Sequence, residues 1–207
     1  VTFTGSTHVG KQLPKVAGYK KLCLELGGNA PLIILDDAKL DLAVTLAAEG
    51  CFRNSGQRCT AVKRLLVHEN ILADFTGRFL EKVKEYPAGD PADEATRVGT
   101  VIDEPAAVEL EDRVKAAVAQ GAKVLAGGNR EGALLEPTVI ADVPRDAKMV
   151  VEESFGPLAP ILSVKDLDDA LAVANSSQFG LSSGIVTESM DSALTAVKGI
   201  RSGTVNV

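Results

Sequence analysis

Cys59 stands in the polar, glycine-broken segment Asn54-Ser55-Gly56-Gln57-Arg58-Cys59-Thr60, with a guanidinium directly before it. A cationic neighbour favours thiolate over thiol, and Gly56 lets the backbone pass close to a bound carbonyl compound. The segment therefore suits attack on an electrophilic carbon. Taken alone, a cysteine in a soluble chain of 207 residues is more often a small buried apolar residue. The second group is Glu25, which Leu24-Glu25-Leu26-Gly27-Gly28-Asn29 places between two leucines, ahead of two glycines and Pro31. A carboxylate flanked in this way is a candidate for desolvation, which raises its pKa towards that of a general base. The alternative is an exposed acid at a strand end.

Two further segments could hold a ligand. Val1-Thr2-Phe3-Thr4 reads as a strand, followed by Gly5-Ser6-Thr7-His8-Val9-Gly10 and a helix-like Lys11 to Val16. Strand, glycine turn and helix start together form a phosphate-binding arrangement, because a helix N-terminus offers free N–H groups and positive dipole. The glycines do not fit G-x-G-x-x-G, so the spacing by itself is a weak signal. In Val151-Glu152-Glu153-Ser154-Phe155-Gly156-Pro157, Glu153 could meet a ribose hydroxyl and Phe155 a planar ring; an ordinary surface turn is the alternative.

These residues need a scaffold, and the pattern around them supplies one. Leu40 to Cys51 has helical apolar spacing, with Asp36-Asp37 as its start signal; Ile71 to Tyr86 puts Ile71, Phe75, Phe79 and Val83 on one face. Pro105 to Gln120, Asp166 to Asn175 and Asp191 to Ile200 read as further helices. Arg64 to Val67, Lys123 to Ala126, Leu158 to Val164, Ser183 to Thr187 and Thr204 to Val207 read as strands, and Pro87 to Asp93 and Gly127 to Gly132 as surface connections. Alternation of this kind predicts an α/β fold with a largely parallel sheet and helices on both faces.

Composition narrows the class. The chain is 45% hydrophobic and 24% charged, enough apolar content for a core, and no apolar run approaches the ~20 residues of a membrane span. A net charge of −6 argues against nucleic acid, because phosphate binding needs clustered cations; Lys63-Arg64 and Lys20-Lys21 are too short to be patches. Cys23, Cys51 and Cys59 are an odd, sparse set that fits a reducing, cytoplasmic setting without a disulfide framework. With His8 and His68 as the two histidines, no metal-ligand cluster is expected.

Taken in order, Phe3-Thr4-Gly5-Ser6-Thr7, Leu24-Glu25-Leu26-Gly27-Gly28, Gly56-Gln57-Arg58-Cys59 and Glu152-Glu153-Ser154-Phe155-Gly156-Pro157 are similar to the aldehyde dehydrogenase superfamily. The likeness runs from end to end of the chain. It implies an aldehyde dehydrogenase-like catalytic domain using NAD or NADP, with NAD favoured. Cys59 would be the nucleophile and Glu25 the base that activates water. Gly5 and Ser6 would lie near the cofactor pyrophosphate, Glu153 on the nicotinamide-side ribose and Phe155 beside the nicotinamide. It also implies a cofactor-domain remnant over residues 1–25, a catalytic domain over 26–207, and a homo-oligomeric parent protein.

Arg58 bears on the substrate. The wording from Gly56 to Arg64 resembles the branch acting on anionic aldehydes, which takes in phosphonoacetaldehyde, non-phosphorylating glyceraldehyde-3-phosphate and certain lactaldehyde dehydrogenases. The lead-in Leu46 to Ser55 is most like the first of these, which points to oxidation of phosphonoacetaldehyde to phosphonoacetate and to phosphonate metabolism. A guanidinium there suits two parallel hydrogen bonds to a phosphonate or phosphate; its alternative is to tune the thiol or cap a loop. The chain begins at the glycine turn and ends before the family's C-terminal segment, so the upstream oxyanion-hole asparagine of the family has no counterpart in it. The expectation is a weak dehydrogenase when isolated, slower by about 10²–10³ for the lost oxyanion donor. A reading from another class is a non-catalytic thiol redox or binding module, with Cys59 as an oxidisable thiol.

Overall fold

Strands covered on both faces read as continuous apolar runs, whereas half-exposed strands alternate. The computed structural model, which describes residues 1–207, follows that rule. In chain order its elements are β1 (Thr2–Thr4), α1 (Thr7–Gly10), α2 (Leu13–Ala17), β2 (Cys23–Glu25), β3 (Ala30–Ile34), α3 (Leu40–Phe52), β4 (Val62–His68), α4 (Leu72–Val83) and α5 (Glu104–Ala119). Then come β5 (Lys123–Ala126), β6 (Arg130–Glu131), β7 (Leu134–Leu135), β8 (Thr138–Ala141), α6 (Lys148–Val151), β9 (Leu158–Val164), α7 (Leu167–Ala174), β10 (Ser182–Val186), α8 (Met190–Gly199) and β11 (Thr204–Asn206).

Seven strands form one sheet in the order β11-β10-β3-β4-β9-β8-β5, parallel throughout except for the antiparallel pair β5 and β8. Successive residues of the central strands feed opposite cores. Ile33, Leu66 and Leu162 pack with Leu110, Val114, Val173 and Ala196 of α5, α7 and α8. Ile34, Leu65, Val67 and Ile161 pack with Ala47, Phe52, Phe75 and Phe79 of α3 and α4. The rings of Phe75 and Phe79 stack at 5.5 Å between centroids, within the range for favourable aromatic pairs. The α/β architecture, largely parallel with helices on both faces, is the one the sequence predicts. No helix is long and apolar enough to cross a membrane.

Several local expectations change. Asp36-Asp37 does not cap α3: Lys39 holds the N-cap position without a side-chain bond, and the Asp37 carboxylate instead accepts from Thr187 Oγ1 at 2.8 Å and the Glu188 amide at 3.0 Å. The helix expected from Lys11 to Val16 is shortened to α2, and a separate turn of helix, α1, precedes it from Thr7, capped by the Ser6 hydroxyl. Strand β3 runs through Pro31 despite its missing N–H, because the β3–β4 register shifts between Ala30 and Pro31. The connection from Gly127 to Gly132 contributes one side of the β6–β7 hairpin.

Parallel neighbours enter a sheet from the same end. The segments leading into β3, β4 and β9 are 25–29, 56–61 and 153–157, and because these strands are adjacent in the sheet, the segments converge on one edge.

Candidate active site

At that edge lies a cavity of about 640 Å³ lined by Thr4, Gly5, Ser6, Glu25, Leu26, Gly27, Gln57, Arg58, Cys59, Thr60, Glu153 and Phe155. Gly5, Ser6, Glu25, Arg58, Cys59, Glu153 and Phe155, all singled out from the sequence, thus share one wall-to-wall space. Two other clefts, of about 390 and 470 Å³, hold no cysteine.

The backbone before Cys59 is strained. After α3, Asn54, Ser55 and Gly56 have φ of 55°, 53° and 68°, the left-handed region. For the two non-glycine residues this costs roughly 1–2 kcal/mol each and persists only where surroundings over-determine it. They do so here: Asn54 Nδ2 donates to the Gln57 carbonyl at 3.1 Å, Ser55 Oγ to Gly99 at 3.0 Å, and Gln57 Nε2 to Thr100 at 3.3 Å. Gly56 must lack a side chain, because a Cβ would strike the Gly156 carbonyl oxygen; one at Gly28 would strike that of Cys59. Cys59 itself is half-buried in the cavity wall. Cys51 is fully buried and desolvation pushes its thiol up to about 12, against the opposing fields of Lys63 and Arg58, so it is inert at neutral pH.

Arg58 lines the cavity, but Nη2 is committed elsewhere. It donates to the carbonyls of Glu49 and Gly50, at 3.0 Å each, in the last turn of α3, while Nε is buried without a partner. Loop capping, the alternative role read from the sequence, is therefore what one arm of the guanidinium does. A full two-armed grip on an anion would have to displace those bonds.

Glu25 corrects the expectation of desolvation. It is exposed at the end of β2, whose side chains alternate, so Leu24 is half-buried on the opposite face, and the half-buried Leu26 that lines the cavity beside it does not enclose the carboxylate. Glu153 is the cavity's desolvated acid. Burial holds its carboxyl above the usual carboxylate range, offset by a 2.9 Å bond from the Gly28 amide to Oε1 and by the charges of Lys63 and Arg113. Phe155, a residue 45% exposed, lines the cavity. The Gly5 amide is occupied by the Glu25 carbonyl at 3.0 Å, and Ser6 Oγ accepts from the Val9 amide at 3.3 Å, which leaves the Ser6 O–H free to donate.

Lys63 and Arg64 carry more of the site than their reading as a short charged pair allows. Both are 1% exposed inside β4. Arg64 donates twice to the Asn29 carbonyl, at 3.1 and 2.8 Å, and to Val173 and Ala174 at 2.9 and 3.0 Å, joining the glycine segment to the end of α7. Lys63 donates to the carbonyls of Gly56 and, at 3.2 Å, Gly156. The available signal was two cations embedded in an apolar run of a sheet covered on both faces, where charges survive only with internal partners.

The aldehyde dehydrogenase family model matches residues 1–207. The chain belongs to the aldehyde dehydrogenase family. It is similar to the lactaldehyde dehydrogenase of Methanococcus aeolicus, 40% identical over 194 residues that cover 94% of this chain and 42% of that protein. The sulfoacetaldehyde dehydrogenase of Neptuniibacter caesariensis is 38% identical over 190 residues, covering 92% and 42%. Among solved structures, the glyceraldehyde-3-phosphate dehydrogenase of Methanocaldococcus jannaschii complexed with NADP superposes with a TM-score of 0.96 at 38% identity, over 99% of this chain and 44% of that one. The chain spans about 42% of the length of these curated aldehyde dehydrogenases.

Proposed function

We propose that the whole protein oxidises a small anionic aldehyde with NAD or NADP through a covalent intermediate on Cys59, phosphonoacetaldehyde being the first candidate. The observation that carries this reading is the single cavity shared by Cys59, Glu25, Arg58, Glu153 and Phe155.

In this scheme the Cys59 thiolate adds to the aldehyde carbon, forming the S–C bond of a thiohemiacetal. Loss of hydride from that carbon leaves a thioester, and the sulfur suits both steps because a thiolate attacks carbonyl carbon well and leaves well. Glu25, exposed to solvent across the same cavity, takes a proton from water as the water attacks the thioester. Collapse releases the carboxylate product and restores the thiolate. When bound, NAD(P) accepts the hydride. The cavity suits its nicotinamide end: Phe155 offers a ring face, Glu153 an acceptor for a ribose hydroxyl, and Ser6 a free hydroxyl proton for a phosphate oxygen. Glu153 must give up or share its Gly28 bond to do so. Residues 1–25 would then belong to the cofactor-binding part and 26–207 to the catalytic part.

An anionic substrate is supported by Arg58 at the cavity wall and by the sulfonated and phosphorylated aldehydes in the names of two relatives. The likeness of Leu46 to Ser55 favours phosphonoacetaldehyde; lactaldehyde and glyceraldehyde-3-phosphate are the substrates named for the other relatives. Assaying the whole protein against phosphonoacetaldehyde, sulfoacetaldehyde, glyceraldehyde-3-phosphate and lactaldehyde, beside Cys59→Ser, tests the proposal. Aldehyde oxidation abolished by Cys59→Ser and highest for an anionic substrate is expected; activity surviving that substitution would overturn the covalent mechanism.

A further inference from the structure

A lysine with 1% exposure that meets no carboxylate at salt-bridge distance is a costly thing to keep. Its bonds to two carbonyls must outweigh the desolvation of a full ammonium, so stability alone gives a poor reason for a charge at this position. Its partners give a better one. The Nζ of Lys63 bonds one carbonyl from each of two segments: Gly56, three residues before Cys59, and Gly156, directly after Phe155. The two segments touch, since Gly56 could carry no Cβ without striking the Gly156 carbonyl, and Nζ also lies 6.0 Å from the Phe155 ring centroid. The Gly56 end of this bridge closes the left-handed run Asn54–Gly56, where backbone strain needs an external hold.

We propose that Lys63 is a positioning residue, whose ammonium group fastens the Cys59 segment to the Glu153–Gly156 segment and so sets nucleophile against cofactor face. This rests on the reading of Cys59 as the nucleophile. It also makes the arrangement sensitive to pH. Desolvation lowers Lys63 from the usual 10.5 to about 8; Cys51 on α3 and Glu153 on the facing segment favour the charged form, and Arg58 opposes it. Charge-assisted bonds are about twice as strong as neutral ones, so the bridge weakens as pH rises through about 8.

The test uses the whole protein with its cofactor and an accepted aldehyde, comparing wild type with Lys63→Met. The expected result is a kcat at least ten-fold lower in the variant, with aldehyde KM changed less than three-fold and thermal midpoint shifted by a few degrees. Wild-type kcat should fall between pH 7.5 and 9, and the variant should lack that limb. A Lys63→Met enzyme with kcat within two-fold of wild type, or a kcat loss matched by an equal loss of folded protein, would overturn the proposal. Should the variant not fold, the wild-type profile decides alone: a kcat flat across pH 7 to 9.5 overturns it, and a falling limb supports it. A wild type that oxidises no aldehyde would overturn the functional reading and this inference together; a normal wild type with an indifferent variant overturns this inference only.

Discussion

Gly28→Ala is the substitution that tests the site's geometry most sharply. Its Cβ would be built onto the carbonyl oxygen of Cys59, a backbone atom that cannot swing aside as a side-chain tip can. Separating the two requires a shift of about 1 Å in either the glycine segment or the Cys59 segment, and a misplacement of that size costs on the order of 10²-fold in rate. Overpacking adds about 1–3 kcal/mol of destabilisation, which a domain of this size tolerates. Gly27→Ala is the matched control, since its Cβ meets the Glu153 carboxylate, the far end of a flexible side chain. That variant should displace Glu153 from the Gly28 amide and alter cofactor KM while leaving the thiol in place. The assay is kcat/KM for aldehyde together with the second-order rate of Cys59 alkylation by iodoacetamide. The expected outcome is a fall of about 100-fold in kcat/KM for Gly28→Ala and less than ten-fold for Gly27→Ala. Equal effects of the two, or a wild-type rate in Gly28→Ala, would refute the close approach as a determinant of reactivity.

Arg58→Ala removes two bonds to the end of α3 and, on the proposed reading, the donor to the substrate's anionic group, so it should raise KM for an anionic aldehyde by roughly 10- to 150-fold, about 1.5–3 kcal/mol, and for an uncharged aldehyde far less. An equal rise for both substrates would assign the arginine to capping alone. Asp103→Ala deletes the N-cap of α5, where Oδ1 accepts from the Ala106 amide at 2.9 Å, and should cost about 1 kcal/mol in urea unfolding with no change in Cys59 alkylation. The Arg145 guanidinium, bonded to Asp169 at 2.6 and 2.7 Å, holds that carboxyl down at about 2 from the usual 3.8. The pair's contribution is therefore present above pH 3.8 and lost as pH falls towards 2, so the stability gap between wild type and Arg145→Ala should close over that window in acid titrations followed by circular dichroism.

Elements with a clear period were legible in the sequence. Leu158–Val164 and Lys123–Ala126 are strands over the residues expected, and α3, α4, α5, α7 and α8 fall within a few residues of their readings. Strand β3 was hidden by Pro31, which belongs in a central strand only because the pairing slips beside it. The hairpin β6–β7 has two residues per strand, too few to show any period. Within the site, the polar and glycine-rich wording marked the segments that converge, because short loops at strand entries need those residue types. Burial was not legible: Leu24 and Leu26 suggested an enclosed Glu25, but alternation along β2 turns the acid outward. Capping by Arg58 was legible as an alternative, but its partners were not, since contact with Glu49 and Gly50 depends on how α3 ends. Lys63 and Arg64 were weighed only as a pair too short for a cationic patch, because the full burial of the strand that carries them is recognised only once both of its faces are covered.

The central claim, a covalent intermediate on Cys59 resolved through Glu25, is tested most directly by intact-mass analysis of the whole protein carrying Glu25→Gln, mixed with NAD(P) and substrate aldehyde. The account predicts one equivalent of reduced cofactor released in a burst, then a stall, with the acyl mass retained on the peptide containing Cys59. Steady turnover at the wild-type rate with no adduct, or an adduct on Cys23 or Cys51 instead, would contradict it.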